Sequence, residues 1–205
     1  MNGKKKRKSY RDEENPLKKF WYFVWCEDSL ASWIVSLILA FIIVKFIFFP
    51  VLSFALGTQL PLVVVESCSM YHPGNFNDWL AENSEWYNNM NISNQEIKDW
   101  PFKNGLNKGD IVIAYGYGSI KPGQVIIFQA RRTHPIIHRV ILKQEKITGN
   151  YYSTKGDNNF DQLDDEKNIP QDAVIGKSLV RIPYIGWIKL FFVDIYRGEP
   201  ISSCS

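Results

Sequence analysis

Between Leu30 and Phe49 the chain reads LASWIVSLILAFIIVKFIFF, twenty residues in which Lys45 is the only charge. A helix of that length covers about 30 Å, the thickness of a bilayer's hydrocarbon core, so the stretch predicts a membrane-spanning helix. Lys45, about one turn from its end, is expected to snorkel to the headgroups. No small-residue cleavage pattern follows, and the stretch is longer than the apolar core of a secretory signal, so it reads as a retained anchor. Charge then sets its orientation. Of the 24 Lys and Arg and 21 Asp and Glu, eight and five fall in Met1 to Asp28, which leaves the rest of the chain balanced. The run Lys4 to Lys8 (KKKRK) beside a span is a positive-inside signal, placing residues 1–28 in the cytoplasm and everything after about Pro50 on the outer face. With no basic stripe in the remainder, nucleic acid is not an expected partner; membrane lipid is. The aromatic content, 15% with seven tryptophans, suits a membrane interface or a large core rather than disorder.

Past the anchor (29–57), the most informative stretch is Val63 to Met70, VVVESCSM. Three β-branched valines predict a strand covered on both faces, and the small polar residues after them mark where the backbone leaves the sheet. Ser69 at that strand end is a candidate nucleophile. A hydroxyl is weak on its own and needs a base to take its proton and donors to hold an oxyanion. Cys26, Cys68 and Cys204 show no metal-ligand spacing and leave one over from any pair, so neither a zinc site nor a disulfide framework is expected.

Tyr71 to Lys108 predicts a small helical insertion. Phe76 to Tyr87 places Trp79, Leu80, Trp86 and Tyr87 on one helical face, and Ser93 with Glu96 predicts a capping box before a short helix that stops ahead of Pro101. The insertion reads equally as a packing flap or as a lid that dips toward the membrane. Asn91-Ile92-Ser93 is a glycosylation sequon, a pattern that also arises by chance. From Asp110 the pattern turns to short β-branched runs separated by Gly and Pro: Asp110 to Tyr115, Gln124 to Ala130, Ile136 to Lys143, a hairpin near Thr148 to Lys155, and Ala173 to Arg181. The expected fold class is mainly β, an antiparallel sandwich or partly open barrel over residues 58–189, with the insertion at 71–108. Ile182 to Tyr196, with Trp187, Phe191 and Phe192 but also Lys189 and Asp194, is too short and too charged to span and is expected to lie on the bilayer or on the sheet, with 190–205 as an interfacial segment or tail.

Three histidines make the search for a base small. His138 lies in a predicted strand, where a lone histidine is more often structural; His134 sits in an Arg-rich loop; His72 is only three residues from Ser69, awkward for facing it. His138 is the best mounted. For an acid to orient its ring, Asp157 in Gly156-Asp157-Asn158-Asn159 ends a strand, and Asp161, Asp164 and Asp165 follow. Taken alone, GDNN is also an ordinary turn sequence.

Four of these strings, in order, resemble the signal peptidase I family in its archaeal and endoplasmic-reticulum type: SCSM at Ser67 to Met70, the Gly109-Asp110 turn, PIIHRV at Pro135 to Val140, and TKGDNN at Thr154 to Asn159. The resemblance implies a signal-peptidase-like β domain behind one transmembrane helix, Ser69 as nucleophile, His138 as base where the bacterial type carries lysine, and Ser67 in the oxyanion hole. It implies a serine endopeptidase that removes signal peptides from exported precursor proteins, with translocation machinery as a further partner and no cofactor or metal. Cys68 stands where the family commonly has glycine, and Pro73 comes one residue late. Leu163 stands where the family has its second aspartate. Asp164, one residue on, is therefore the expected orienting acid, with Asp161 in reserve and Asp157 bracing its own loop. A non-catalytic membrane-anchored β scaffold and a general membrane-bound serine protease are the alternative readings.

Overall fold

The computed structural model describes residues 14–198 and 202–204; the Lys4 to Lys8 run lies outside them. By internal contacts the chain divides into two units, one ending at Leu52 and one beginning at Ser53.

In the first unit, Asn15 caps α1 (Pro16–Cys26) by accepting from the Leu17 amide at 3.0 Å, with Pro16 at the first helical position where its missing N–H loses nothing. α2 (Leu30–Ile43) follows, capped by Ser29. The two helices are tied by hydroxyls: Ser32 donates to the Phe23 carbonyl, and Ser36 to that of Val24 at 2.9 Å. Leu17, Trp21 and Trp25 of α1 are exposed, as are Leu37 and Phe41 of α2.

The apolar helix continues past Phe49, within the expected anchor (29–57). α2, a π-helical turn (Val44–Phe48) and α3 (Phe49–Leu56) run on as one helix of 27 residues, long and apolar enough to cross a membrane. Pro50 explains the π turn. It has no N–H to give the Phe46 carbonyl and its ring crowds that group, so the Phe49 amide reaches back five residues to Val44. Lys45 is consequently mid-helix, its ammonium 5.5 and 5.3 Å from the ring centres of Phe41 and Phe46.

The second unit is one curled, wholly antiparallel sheet of seven strands, not two packed sheets. Its strands are β1 (Leu62–Val64), β2 (Ile111–Tyr115), β3 (Val125–Phe128), β4 (Ile136–Lys146), β5 (Gly149–Lys155), β6 (Ile169–Pro170) and β7 (Val174–Ile182), in the order β1-β2-β7-β3-β4-β5-β6. The expected hairpin near Thr148 is β5 folding back on a longer β4. β1 is an edge strand, half-buried and ended by Val64, so its valines are not covered on both faces. The doubly covered strand is β3: Val125 and Ile127 join a core with Val65, Met70, Leu106 and Val112, while Ile126 and Phe128 join another with Val140, Tyr152 and Ile169. This is the period-two alternation of a strand with both faces packed.

The insertion is α4 (Phe76–Asn89) and α5 (Asn94–Lys98), whose Trp79, Leu80, Tyr87, Ile92, Ile97 and Trp100 form a core cluster with Ile141 of β4. The full capping box belongs to α4, where Asn75 and Asp78 bond reciprocally; on α5, Ser93 accepts from the Glu96 amide at 3.2 Å. Asn91 is exposed in a left-handed turn (φ 60°). The C-terminal segment forms α6 (Trp187–Arg197), seated through Leu190 and Asp194, with Ile188, Phe192 and Tyr196 exposed. Cys68 and Cys204 form a disulfide where no disulfide framework was expected, and Cys26 is the one left over, free and exposed.

Candidate active site

β4 delivers two adjacent residues to opposite sides of the sheet, because successive side chains on a strand alternate. His138 goes to one face and Arg139 to the other, and each organises a separate polar network.

On the His138 face, Nε2 of the ring is 2.9 Å from Ser69 Oγ. Ser69 sits five residues past the end of β1, in a turn held from the GDNN side. The Asn158 amide donates to the Ser69 carbonyl at 2.8 Å, and Asn158 Nδ2 to that of Cys68 at 3.1 Å. Gly156 is required there, since a Cβ on it would lie 2.8 Å from the Ser69 carbonyl oxygen and 2.7 Å from Asn159 Nδ2. Met70 anchors the turn from below, buried in the core, with its sulfur 3.5 Å from the Asp157 amide.

The partner of the other ring nitrogen is Glu166. His138 Nδ1 and Glu166 Oε1 are in direct hydrogen-bond contact, and both side chains are buried. Two further contacts and a helical turn fix this carboxylate. Thr154, on the His138 face of β5, donates to Oε1 at 3.1 Å; the Leu163 amide donates to Oε2 at 2.7 Å; and Asp164–Glu166 forms a single 3₁₀ turn that aims the side chain inward. A carboxylate so held fixes the ring tautomer with Nε2 free to accept from Ser69.

The expected acid is thus corrected. Asp164 points to solvent, paired with Lys167 at 3.4 Å with its side chain fully exposed. Asp161 accepts from Trp86 Nε1 at 3.1 Å, and Asp165 lies 3.5 Å from Arg132. The turn that carries Glu166 presents its first two acids outward and only its third inward. One trace of this was in the sequence: Glu166 stands three residues after Leu163, the spacing at which a side chain can reach back to an amide at the start of a helical turn.

Asp157 belongs to the Arg139 face. Arg139 Nε and Nη2 grip its two oxygens at 2.8 and 2.6 Å, and His72 Nε2 is 2.9 Å from Oδ2. Burial would raise this carboxyl's pKa, but the charge and hydrogen bonds of Arg139, with help from His72, hold it at about 2. His72 is thereby occupied, stacked on Trp79 with ring centres 4.0 Å apart, and is no alternative base. Trp79 Nε1 donates to the Asp157 carbonyl at 2.9 Å. Lys155, fully buried, has Trp86 and Tyr87 ring centres 5.0 and 5.5 Å from its ammonium; burial lowers its pKa against the pull of Asp157, Glu166 and Asp161. The insertion is therefore packed around the loop after β5. His134, the third histidine, is exposed at the groove and bonded to Arg197 at 3.0 Å.

Ser67 is exposed with its Oγ 3.1 Å from Ser69 Oγ, on the same side of the turn. Ser69 and His138 open into a groove of ≈ 1240 Å³, bounded by β1 on one side and by Pro135–Ile137 and Asn158–Leu163 on the others. Among the described residues β2 is the one strand paired with β1, so the outer edge of β1 faces the groove as an open sheet edge. Chemically, the arrangement can move a proton from Ser69 to a buried, oriented imidazole beside a channel suited to an extended chain. Compared with known proteins, no family model matches this chain and no curated protein does.

Proposed function

We propose that the chain is a membrane-anchored serine endopeptidase of the signal peptidase type. The observation that carries the reading is the hydrogen-bonded series Ser69, His138, Glu166 at the mouth of a groove alongside an edge strand. An extended peptide would add to the free edge of β1 through main-chain hydrogen bonds, bringing a scissile carbonyl to Ser69. Ser69 Oγ attacks that carbonyl as His138 Nε2 takes its proton; the ring then returns the proton to the leaving amine. Glu166 balances the imidazolium formed in between. The Ser67 hydroxyl, with a backbone N–H of the turn, would donate to the oxyanion.

The test is cleavage of a labelled signal-peptide-bearing precursor by full-length protein in detergent, wild type against Ser69→Ala. Cleavage between the apolar stretch and the exported part is expected, and Ser69→Ala is expected to abolish it with the circular dichroism unchanged. Equal cleavage by both proteins would reject Ser69 as the nucleophile. No cleavage by either would favour a non-catalytic scaffold, and indiscriminate cleavage of unrelated proteins a general protease.

The same reading places the β unit outside the cytoplasm. Two observations support this: the basic tail before the span, and the Cys68–Cys204 disulfide, a bond that persists in oxidising compartments. Protease added to sealed right-side-out vesicles is expected to digest the β unit. Digestion of the N-terminal tail alone would reverse the orientation.

A further inference from the structure

The residues leading into Ser69 alternate in direction. Ser67 and Ser69 share one side, as their hydroxyl contact requires. Glu66 and Cys68 meet the C-terminal part of the chain instead. Lys189 Nζ donates to Glu66 Oε1 at 2.8 Å, Arg197 Nη1 lies 3.8 Å from Glu66 Oε2, and Cys68 is covalently joined to Cys204. α6, which supplies both cations, is itself fixed, with Leu190 and Asp194 buried and Asp194 Oδ2 accepting from Lys108 Nζ at 3.1 Å. With Asn158 holding the carbonyls of Cys68 and Ser69, the turn is gripped by two otherwise separate parts of the fold.

The geometry points to a role for this grip: we propose that α6 and Cys204 form a clamp that positions Ser69 against His138, and that the Cys68–Cys204 bond makes the clamp sensitive to reductant. The proposal rests on the peptidase reading. Glu66, Lys189, Arg197 and Cys204 are positioning residues, acting through the backbone of the turn. Ion pairs at a partly exposed site contribute little each, so the covalent link is the decisive part. Displacing a reacting group by about 1 Å can cost about 10²-fold in rate, so a modest relaxation of the turn is enough to be measured. A dithiol would open the clamp by giving two electrons and two protons, leaving Cys68 and Cys204 as thiols and itself becoming a cyclic disulfide.

The experiment uses full-length protein in detergent carrying Cys26→Ser, so that the free thiol in α1 cannot exchange. Turnover of the labelled precursor is measured with and without dithiothreitol, beside Cys204→Ser, and hydrogen exchange is followed in the peptide spanning Val65 to Met70. Reduction is expected to lower kcat about 10- to 100-fold with KM within about twofold, and to speed exchange in that peptide. Cys204→Ser should show both changes without reductant and respond no further to it. Wild-type kcat in Cys204→Ser, an equal response to reductant in both proteins, or unchanged exchange on reduction would each overturn the clamp. Failure of the oxidised parent to cleave would count against the peptidase reading, and exchange alone would then decide the clamp.

Discussion

Glu166→Gln is expected to lower turnover on the order of 10⁴-fold, the loss typical of a triad carboxylate replaced by its amide. The amide keeps the size of the side chain but removes the charge that balances an imidazolium. It can also present an N–H to Nδ1, favouring the tautomer in which Nε2 carries the proton and cannot accept from Ser69. Substrate binding should change little, because Glu166 is buried behind His138 and does not line the groove. Asp164→Asn is the matched control, its carboxylate being fully exposed two residues away. Near-normal turnover is expected for it. Steady-state kinetics on both variants decide the matter: retained turnover in Glu166→Gln, with loss in Asp164→Asn, would reverse the assignment.

The second large effect falls on stability. Arg139→Met is expected to destabilise the β unit by about 3–5 kcal/mol, since it strands Asp157 as a buried charge without its main partner. At about 2–4 °C per kcal/mol for a unit of this size, the unfolding midpoint should fall by roughly 6–20 °C. An unchanged midpoint would show that His72 alone suffices to hold the carboxylate. The pH dependence has a definite sign. Folding holds the Asp157 carboxyl at about 2, below the ordinary 3.8 of an aspartate, so its contribution is present above about pH 4 and lost as the pH falls toward 2. The amount is about 2 kcal/mol. Arg139→Met should therefore approach the wild type in stability as the medium becomes acid, because a protonated Asp157 no longer needs a cation.

What could be read from the sequence were features carried by local pattern. Ser69 and His138 lie at a strand's exit and within a strand, both visible as β-branched runs, and the structure brings them within hydrogen-bond distance. The helical insertion was visible in the spacing of Trp79, Leu80 and Tyr87, all buried. Features set by long-range geometry were not. The choice of Glu166 over Asp164 depends on which member of one 3₁₀ turn faces β4, and three consecutive acids carry no periodicity to decide it. Cys68 and Cys204 are 136 residues apart, and only α6 folding back beside Glu66 brings them together. The apolar helix, Leu30–Leu56, falls within the expected anchor; what local pattern did not show is how it passes Pro50, which the π turn accommodates instead of ending the helix.

The two polar networks on β4 share a single backbone, and this makes the strand intolerant of slippage in a particular way. Sliding β4 by one residue against β3 would exchange the faces of His138 and Arg139. The guanidinium would then meet Glu166, while the imidazole would be left to neutralise Asp157, so one misregistration would disable catalysis and uncouple the buried pair together. The irregularity between Val140 and Leu142 in the β4–β5 ladder sits just beyond the two residues, where it can act as a stop. Single-residue insertions or deletions should accordingly be lethal to function before that point. Beyond it, in the exposed outer stretch from Gln144 to Lys146, they can be absorbed by the hairpin end.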